Sequence, residues 1–227
     1  MSPVDPQRIA QQVAAVRAEI ADACQRCGRD PASITLIAVT KSQGPEVLSA
    51  LRACGIHDFG ENRVDHLEEM RRAGGLVGDR WHFIGRVQGR QLPAIAPVVS
   101  ALHSLHDPGH LDRLDRACQA AGVRLPVFLQ VNTSGEASKA GMQPSELDPA
   151  LSVARSRPGI EVVGLMTMAP ECGVHGSPEI VRSAFAGLRL LAAERSLPRL
   201  SMGMSGDFAI AIEEGATDVR VGSRLFA

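Results

Sequence analysis

Lysine occurs at only two positions, Lys41 and Lys139, in a chain whose other basic side chains are all arginine. Arginine keeps its charge, whereas a lysine amine can lose its proton and form an imine with an aldehyde. A lysine retained on such a background suggests amine chemistry. Lys41 follows the apolar run Leu36-Ile37-Ala38-Val39 and Thr40, so its side chain begins where a buried strand ends. The alternative is a surface cation whose stem covers apolar surface while its head stays in water. Lys139 stands in Ser134-Gly135-Glu136-Ala137-Ser138-Lys139-Ala140-Gly141, a polar loop that suits a pre-organised imine less well.

Two further segments carry glycine beside serine: Ser201-Met202-Gly203-Met204-Ser205-Gly206-Asp207 and Val219-Arg220-Val221-Gly222-Ser223. Glycine lets an anion approach the backbone, and the hydroxyls of Ser205 and Ser223 add donors to the amides. Taken singly, each Gly-Ser pair reads as a turn. Two of them, after consecutive apolar runs near the C-terminus, read as a phosphate cradle in which Ser205, Gly206, Gly222 and Ser223 take part. A lysine facing a phosphate cradle suggests pyridoxal 5′-phosphate (PLP), whose aldehyde and phosphate need those two features. Arg220 then gains a role: facing the pyridine nitrogen, its fixed charge would keep that nitrogen unprotonated and weaken the ring as an electron sink. Its alternative is a structural ion pair with a residue such as Glu214.

These residues need a scaffold that gathers strand ends. Short apolar runs at 34–39, 56–59, 81–84, 101–104, 127–131, 162–166, 199–202 and 217–221 read as strands. Amphipathic segments at 44–53, 63–72, 109–121, 144–155, 178–195 and 206–215 read as helices between them, while Pro93 and Pro97 interrupt the stretch after Gly85. Ile9, Val13, Val16 and Ile20 mark a further helix at about 6–29, ahead of the first strand. Alternating strands and helices imply parallel pairing, and this many units in 227 residues favour closure as a single-domain (β/α)₈ TIM barrel over residues 1–227. In such a barrel, function sits at the carboxyl ends of the strands, where Lys41, Asn62, Ser205 and Ser223 fall.

Composition narrows the class. With 24 basic against 25 acidic side chains and no basic cluster, a broad nucleic-acid footprint is not expected. No apolar run reaches the length of a membrane span, and the first residues lack a secretion signal, so a cytoplasmic protein is expected. Five cysteines at irregular positions fit reduced thiols better than a disulfide framework. Cys24 and Cys27 have the spacing of half a zinc site, but in a helix and without a second ligand pair they read as incidental; Cys54 near His57 reads the same way. His103, His106 and His110 read as solvent or capping residues rather than metal ligands. The methionines at 166–168 and 202–204 read as packing around the mouth.

The chain resembles the YggS/PROSC-type pyridoxal phosphate homeostasis proteins, a family that binds PLP. The resemblance spans nearly the whole chain from Ile34 to Phe226. It rests on Ala38-Val39-Thr40-Lys41, Asp58-Phe59-Gly60-Glu61-Asn62, Trp81-His82-Phe83-Ile84-Gly85, Gln130-Val131-Asn132, Gly164-Leu165-Met166-Thr167, the Ser201 to Asp207 segment and Val219-Arg220-Val221-Gly222. It implies a barrel like the N-terminal domain of alanine racemase, as in fold-type III PLP proteins, with the cofactor held as an aldimine of Lys41. It further implies phosphate contacts from Ser205, Gly206, Gly222 and Ser223, Arg220 at the pyridine nitrogen and Asn62 beside the cofactor. The family's implied role is intracellular vitamin B6 homeostasis, buffering or delivering PLP to transient PLP-dependent recipient enzymes, without catalytic turnover. Thr40 stands where serine is common, and Ser42-Gln43-Gly44-Pro45 and Gly85-Arg86-Val87-Gln88-Gly89-Arg90 depart from the usual choices.

Two rival functions remain at this point. One is an alanine racemase-like amino-acid racemase or decarboxylase. The usual racemase pairs its lysine with a tyrosine and adds a second domain; this sequence has no tyrosine, which leaves side activity through a histidine or cysteine. The other is a PLP-independent barrel that binds another phosphorylated ligand, with Lys41 acting only as a charge. Without a second domain, a monomer is expected.

Overall fold

The computed structural model describes residues 5–135, 140–170 and 177–227. The first helix, α1 (Pro6–Cys27), starts where the Asp5 carboxylate accepts from the amides of Gln7 and Arg8 and Pro6 occupies the first turn. Its apolar stripe, Ile9, Val13, Val16, Ile20, Ala23 and Cys24, is buried. It packs chiefly against α8 (Phe208–Glu213) and α2 (Val47–Ala53), closing the outer ring at the seam between first and last units.

Eight strands follow: β1 (Thr35–Val39), β2 (Asp58–Glu61), β3 (Arg80–Phe83), β4 (Ala101–Leu105), β5 (Leu125–Gln130), β6 (Ile160–Met166), β7 (Arg199–Ser201) and β8 (Asp218–Val221). All pair in parallel in chain order, and β8 returns to β1, so the sheet is a closed barrel. The connecting helices are α2, α3 (Val64–Gly74), α4 (Leu92–Ile95), α5 (Leu111–Ala121), α6 (Leu147–Arg155), α7 (Pro178–Ala193) and α8. This is the (β/α)₈ architecture expected from the alternating pattern. The stretch after Gly85 condenses to a 3-10 turn (Gly89–Gln91) running into the short α4, where Pro93 sits in the first turn and its missing N–H costs nothing, and Pro97 closes it.

Side chains alternate along the strands and divide the interior in two. Phe59, Trp81, Phe83, Leu102, Val127, Leu129, Val219 and Val221 face the helices in the large outer core. The smaller inner cluster holds Ala101, Phe128 and Met166. Each fully buried aromatic or leucine contributes on the order of 2 kcal/mol by removal from water. The barrel's inside, by contrast, carries buried polar residues, His82, His103, Ser201 and Arg220 among them. Cys24 belongs to the outer core, and the Cys27 thiol donates to the Ala23 carbonyl along its own helix. Among the described residues no helix is long and apolar enough to cross a membrane.

Candidate functional site

The register sets the neighbours of Lys41. Ala38 and Val39 of β1 pair with Phe59 and Gly60 of β2, and Ala38 pairs with Val221 of β8. The β1–β2 ladder runs on through the Thr40 amide, which donates to the Gly60 carbonyl, and Gly222 lies against Val39; Lys41 opens the turn that follows β1, as Asn62 follows β2 and Gly222 follows β8. Thr40 is fully buried, whereas Lys41, one residue further, is exposed at the mouth. The buried Glu61 carboxylate fixes this rim: its Oε1 accepts from Thr40 Oγ1 at 2.5 Å and its Oε2 lies 2.7 Å from His66 Nδ1.

Asn62 is held from the next strand. A Cβ at Gly85 would stand 2.0 Å from the Asn62 carbonyl oxygen, so only glycine permits this approach. The Asn62 Oδ1 atom is buried and has no hydrogen-bond partner among the described residues. A cleft of about 700 Å³ opens beside it, lined by Arg63, Glu68, Gly85, Arg86 and Gln91.

The two serine-glycine loops are joined directly, since the Gly222 amide donates to Ser205 Oγ at 3.2 Å. Gly203 has φ +93°, and a Cβ there would meet the Ala211 Cβ at 2.6 Å, which docks the first loop tightly on α8. The buried Asp207 carboxylate accepts from the Met204 amide at 2.5 Å and bends the loop, so that α8 begins only at Phe208. Burial raises the Asp207 pKa against the opposing pull of that amide and of Arg220. At Gly206 a Cβ would meet nothing within 4 Å, and the Ser205 and Gly206 amides have no acceptor among the described residues. Open space beside unpartnered donors suits a phosphate.

Arg220 is buried inside the barrel, where it donates to Ser201 Oγ at 2.6 Å and to the Thr167 carbonyl at 3.1 Å. Burial pulls its guanidinium down to about 10, with the charges of Asp207 and Asp218 acting the other way, so it remains a cation at neutral pH. The ion pair with Glu214 does not form. Glu214 lies on the outside, paired with Arg182 and Arg189, because β8 turns Arg220 inward. His103 also departs from expectation: it is fully buried in β4, stacked on Phe128 with ring centroids 4.3 Å apart, and neither faces solvent nor caps a helix. His106 and His110 do lie outside the barrel, edge to face. Lys139 and Cys172 fall outside the described residues.

The structure thus brings Lys41, Asn62, Ser205, Gly222 and Ser223 to one end of the barrel, with Arg220 beneath. Sequence reasoning passed over Glu61, His66, His82, His103 and Ser201 as functional candidates. One signal was present: His82 stands between the outward-facing Trp81 and Phe83, as Arg220 does between Val219 and Val221. An inward polar residue at such a position marks a barrel whose interior is used.

A closed parallel barrel with a lysine after its first strand and joined phosphate-type loops after its last two belongs to the alanine racemase barrel class. Residues 11–227 match the family described as alanine racemase, N-terminal domain. The chain is 39% identical over 223 residues to a pyridoxal phosphate homeostasis protein of Pseudomonas aeruginosa, covering 96% of this chain and 94% of that one. It is 36% identical over 222 residues to the protein of the same name from Aquifex aeolicus, covering 95% and 96%. PipY of Synechococcus elongatus, solved with PLP bound, superposes with a TM-score of 0.84 at 30% identity, over 96% of this chain and all of that one. The chain belongs to the pyridoxal phosphate homeostasis protein family.

Proposed function

We propose that this chain binds PLP through Lys41 and serves intracellular vitamin B6 homeostasis as a carrier that buffers the cofactor or delivers it. The observation that carries the reading is the exposed Lys41 just past β1, whose neighbouring strands β2 and β8 end in Asn62 and in the Gly222 loop joined to Ser205. The residues fit the group: among the described residues open donors stand at Ser205 and Gly206 and a buried Asn62 oxygen lacks a donor, while Arg220 supplies a fixed cation. When bound, the cofactor supplies an aldehyde electrophile for a primary amine and a ring able to accept electrons.

The chain's own residues then divide the work. Lys41 provides the amine at the exposed rim, held in register by Thr40 and Glu61. Ser205, Gly206, Gly222 and Ser223 provide the phosphate contacts. Asn62 would stand at the ring edge, and Arg220, which keeps its protons at neutral pH, would hold positive charge at the ring nitrogen. That charge would weaken the ring as an electron sink and disfavour transaminase-like chemistry. No observation favours the racemase reading, since the sequence contains no tyrosine to stand opposite the lysine. The same reading makes the protein a cytoplasmic monomer whose partners are transient PLP-dependent recipient enzymes.

Titrating the wild-type chain and Lys41→Ala with PLP, read by visible absorbance, tests the proposal. A new visible band in the wild type alone supports it; identical spectra would return the barrel to a PLP-independent phosphate-ligand protein.

A further inference from the structure

Five of the eight strands contribute to one hydrogen-bonded line through the barrel. Arg220 Nη1 (β8) lies 2.6 Å from Ser201 Oγ (β7), which lies 2.7 Å from His103 Nδ1 (β4). His103 Nε2 is 2.9 Å from His82 Nδ1 (β3), and His82 Nε2 is 3.0 Å from Asp58 Oδ1 (β2). Arg80 closes the far end by pairing with the same carboxylate. Asp58 and Arg80 line a cleft of about 580 Å³ with Arg17, Thr35 and Ile56, near the amino ends of β1 to β3 and opposite Lys41.

The direction of this line follows from what each atom can do. A guanidinium only donates, so Ser201 Oγ accepts from Arg220. The hydroxyl has one proton, and the remaining partner is His103 Nδ1, which must accept it. His103 therefore carries its proton on Nε2 and donates to His82 Nδ1; His82 in turn donates from Nε2 to the Asp58 carboxylate. The reverse arrangement would strand the Ser201 proton inside the barrel and either turn a His82 lone pair toward a carboxylate or put a charge on that ring. Burial of His103, with His82 and then Arg220 and Arg199 acting in the same sense, pushes its pKa well below the ordinary value and keeps the ring neutral.

We infer that Asp58, His82, His103 and Ser201 act as positioning residues that aim Arg220 at the cofactor ring. The inference rests on the reading of Arg220 given above. With its own proton committed to His103, Ser201 Oγ is a stronger acceptor, because hydrogen bonds in series polarise one another. Ser201 and the Thr167 carbonyl fix two guanidinium donors, and the remaining N–H groups stay available to the ring. The negative end of the line lies at the opposite end of the barrel, so a change at Asp58 reaches Arg220 through three intervening side chains.

Histidine ¹⁵N NMR of the full chain before and after PLP addition tests the direction: His82 and His103 should both show a protonated Nε2 and a bare Nδ1. Ser201→Ala should shift the visible band of bound PLP and weaken its retention on the order of tenfold. Ser201→Thr, which keeps the hydroxyl, should restore both. His82→Phe touches neither Arg220 nor Lys41 and should shift the band in the same direction by less. A proton on His103 Nδ1 would overturn the inference. So would unchanged bands and retention in folded Ser201→Ala and His82→Phe proteins that still take PLP at Lys41. If the wild-type chain takes no PLP at Lys41, the functional reading itself has failed, and the service of this line to a cofactor fails with it.

Discussion

Glu61 Oε2 lies 2.7 Å from His66 Nδ1, and through that ring the buried end of β2 holds the loop that carries Lys41. The other ring nitrogen, Nε2, is 3.0 Å from the Gln43 carbonyl, and Glu61 Oε1 accepts from Thr40. Thr40 and Gln43 flank Lys41 and Ser42, so a single carboxylate braces both sides of the lysine. Both neighbours of the His66 ring are acceptors, which favours the doubly protonated ring.

This bracing should depend on pH. Burial works against the His66 charge, but the hydrogen bond and charge of Glu61, helped by the Gln43 carbonyl, outweigh it and raise the pKa. A raised folded value means the contribution is fully present below the ordinary value of 6.5 and is lost as pH rises through the folded one. Urea unfolding of His66→Ala should show a deficit of about 1 kcal/mol at pH 6 that shrinks at pH 9. An equal deficit at both would detach the effect from the ring's charge.

Asp58 gives the opposite sign. Burial raises its pKa, but hydrogen bonds from His82 and Arg80 more than offset that and lower it from 3.8 to about 2. Its contribution, about 2 kcal/mol, is present above pH 3.8 and lost as pH falls toward 2. Asp58→Asn should lower stability at pH 7 and flatten the acid limb between those values in a denaturation series. An unchanged acid limb would contradict the assignment.

The two loop glycines should resist substitution for steric reasons. In Gly85→Ala the new methyl would meet the Asn62 carbonyl, and in Gly203→Ala a strained φ adds to the clash with Ala211. Each should cost roughly 1–3 kcal/mol in thermal or urea unfolding. Gly206→Ala, facing open space, should leave stability within about 0.5 kcal/mol of wild type while weakening PLP. Equal losses at all three would mean that Gly206 is a folding residue instead.

Ser205→Ala should separate cradle from anchor. It removes the acceptor of the Gly222 amide and one hydroxyl donor. Equilibrium titration should show PLP binding about tenfold weaker, with the same visible band at saturation. A changed band with unchanged affinity would place Ser205 at the ring rather than at the phosphate.

Much of this was legible in the sequence because a parallel barrel repeats one pattern: an apolar run, a polar strand end, then an amphipathic helix. The eight strands fall where the runs do, shifted by one or two residues, as with 56–59 against Asp58–Glu61. The polar ends named Lys41, Asn62, Ser205 and Ser223 because loop chemistry is local. The interior was not legible. Whether His103 faces inward or outward depends on strand register and barrel closure, and its partners Ser201 and His82 lie on other strands. Glu214 as a partner for Arg220 failed for the same reason, since six residues along the chain separate the outer surface from the inside of the barrel.

The central claim is that Lys41 is the amine that holds PLP. Incubation with PLP, reduction with borohydride and peptide mass analysis locate any fixed pyridoxyl group directly. The account predicts one adduct, on the peptide containing Lys41, absent in Lys41→Ala. An adduct on Lys139 instead, or on neither lysine, would contradict it.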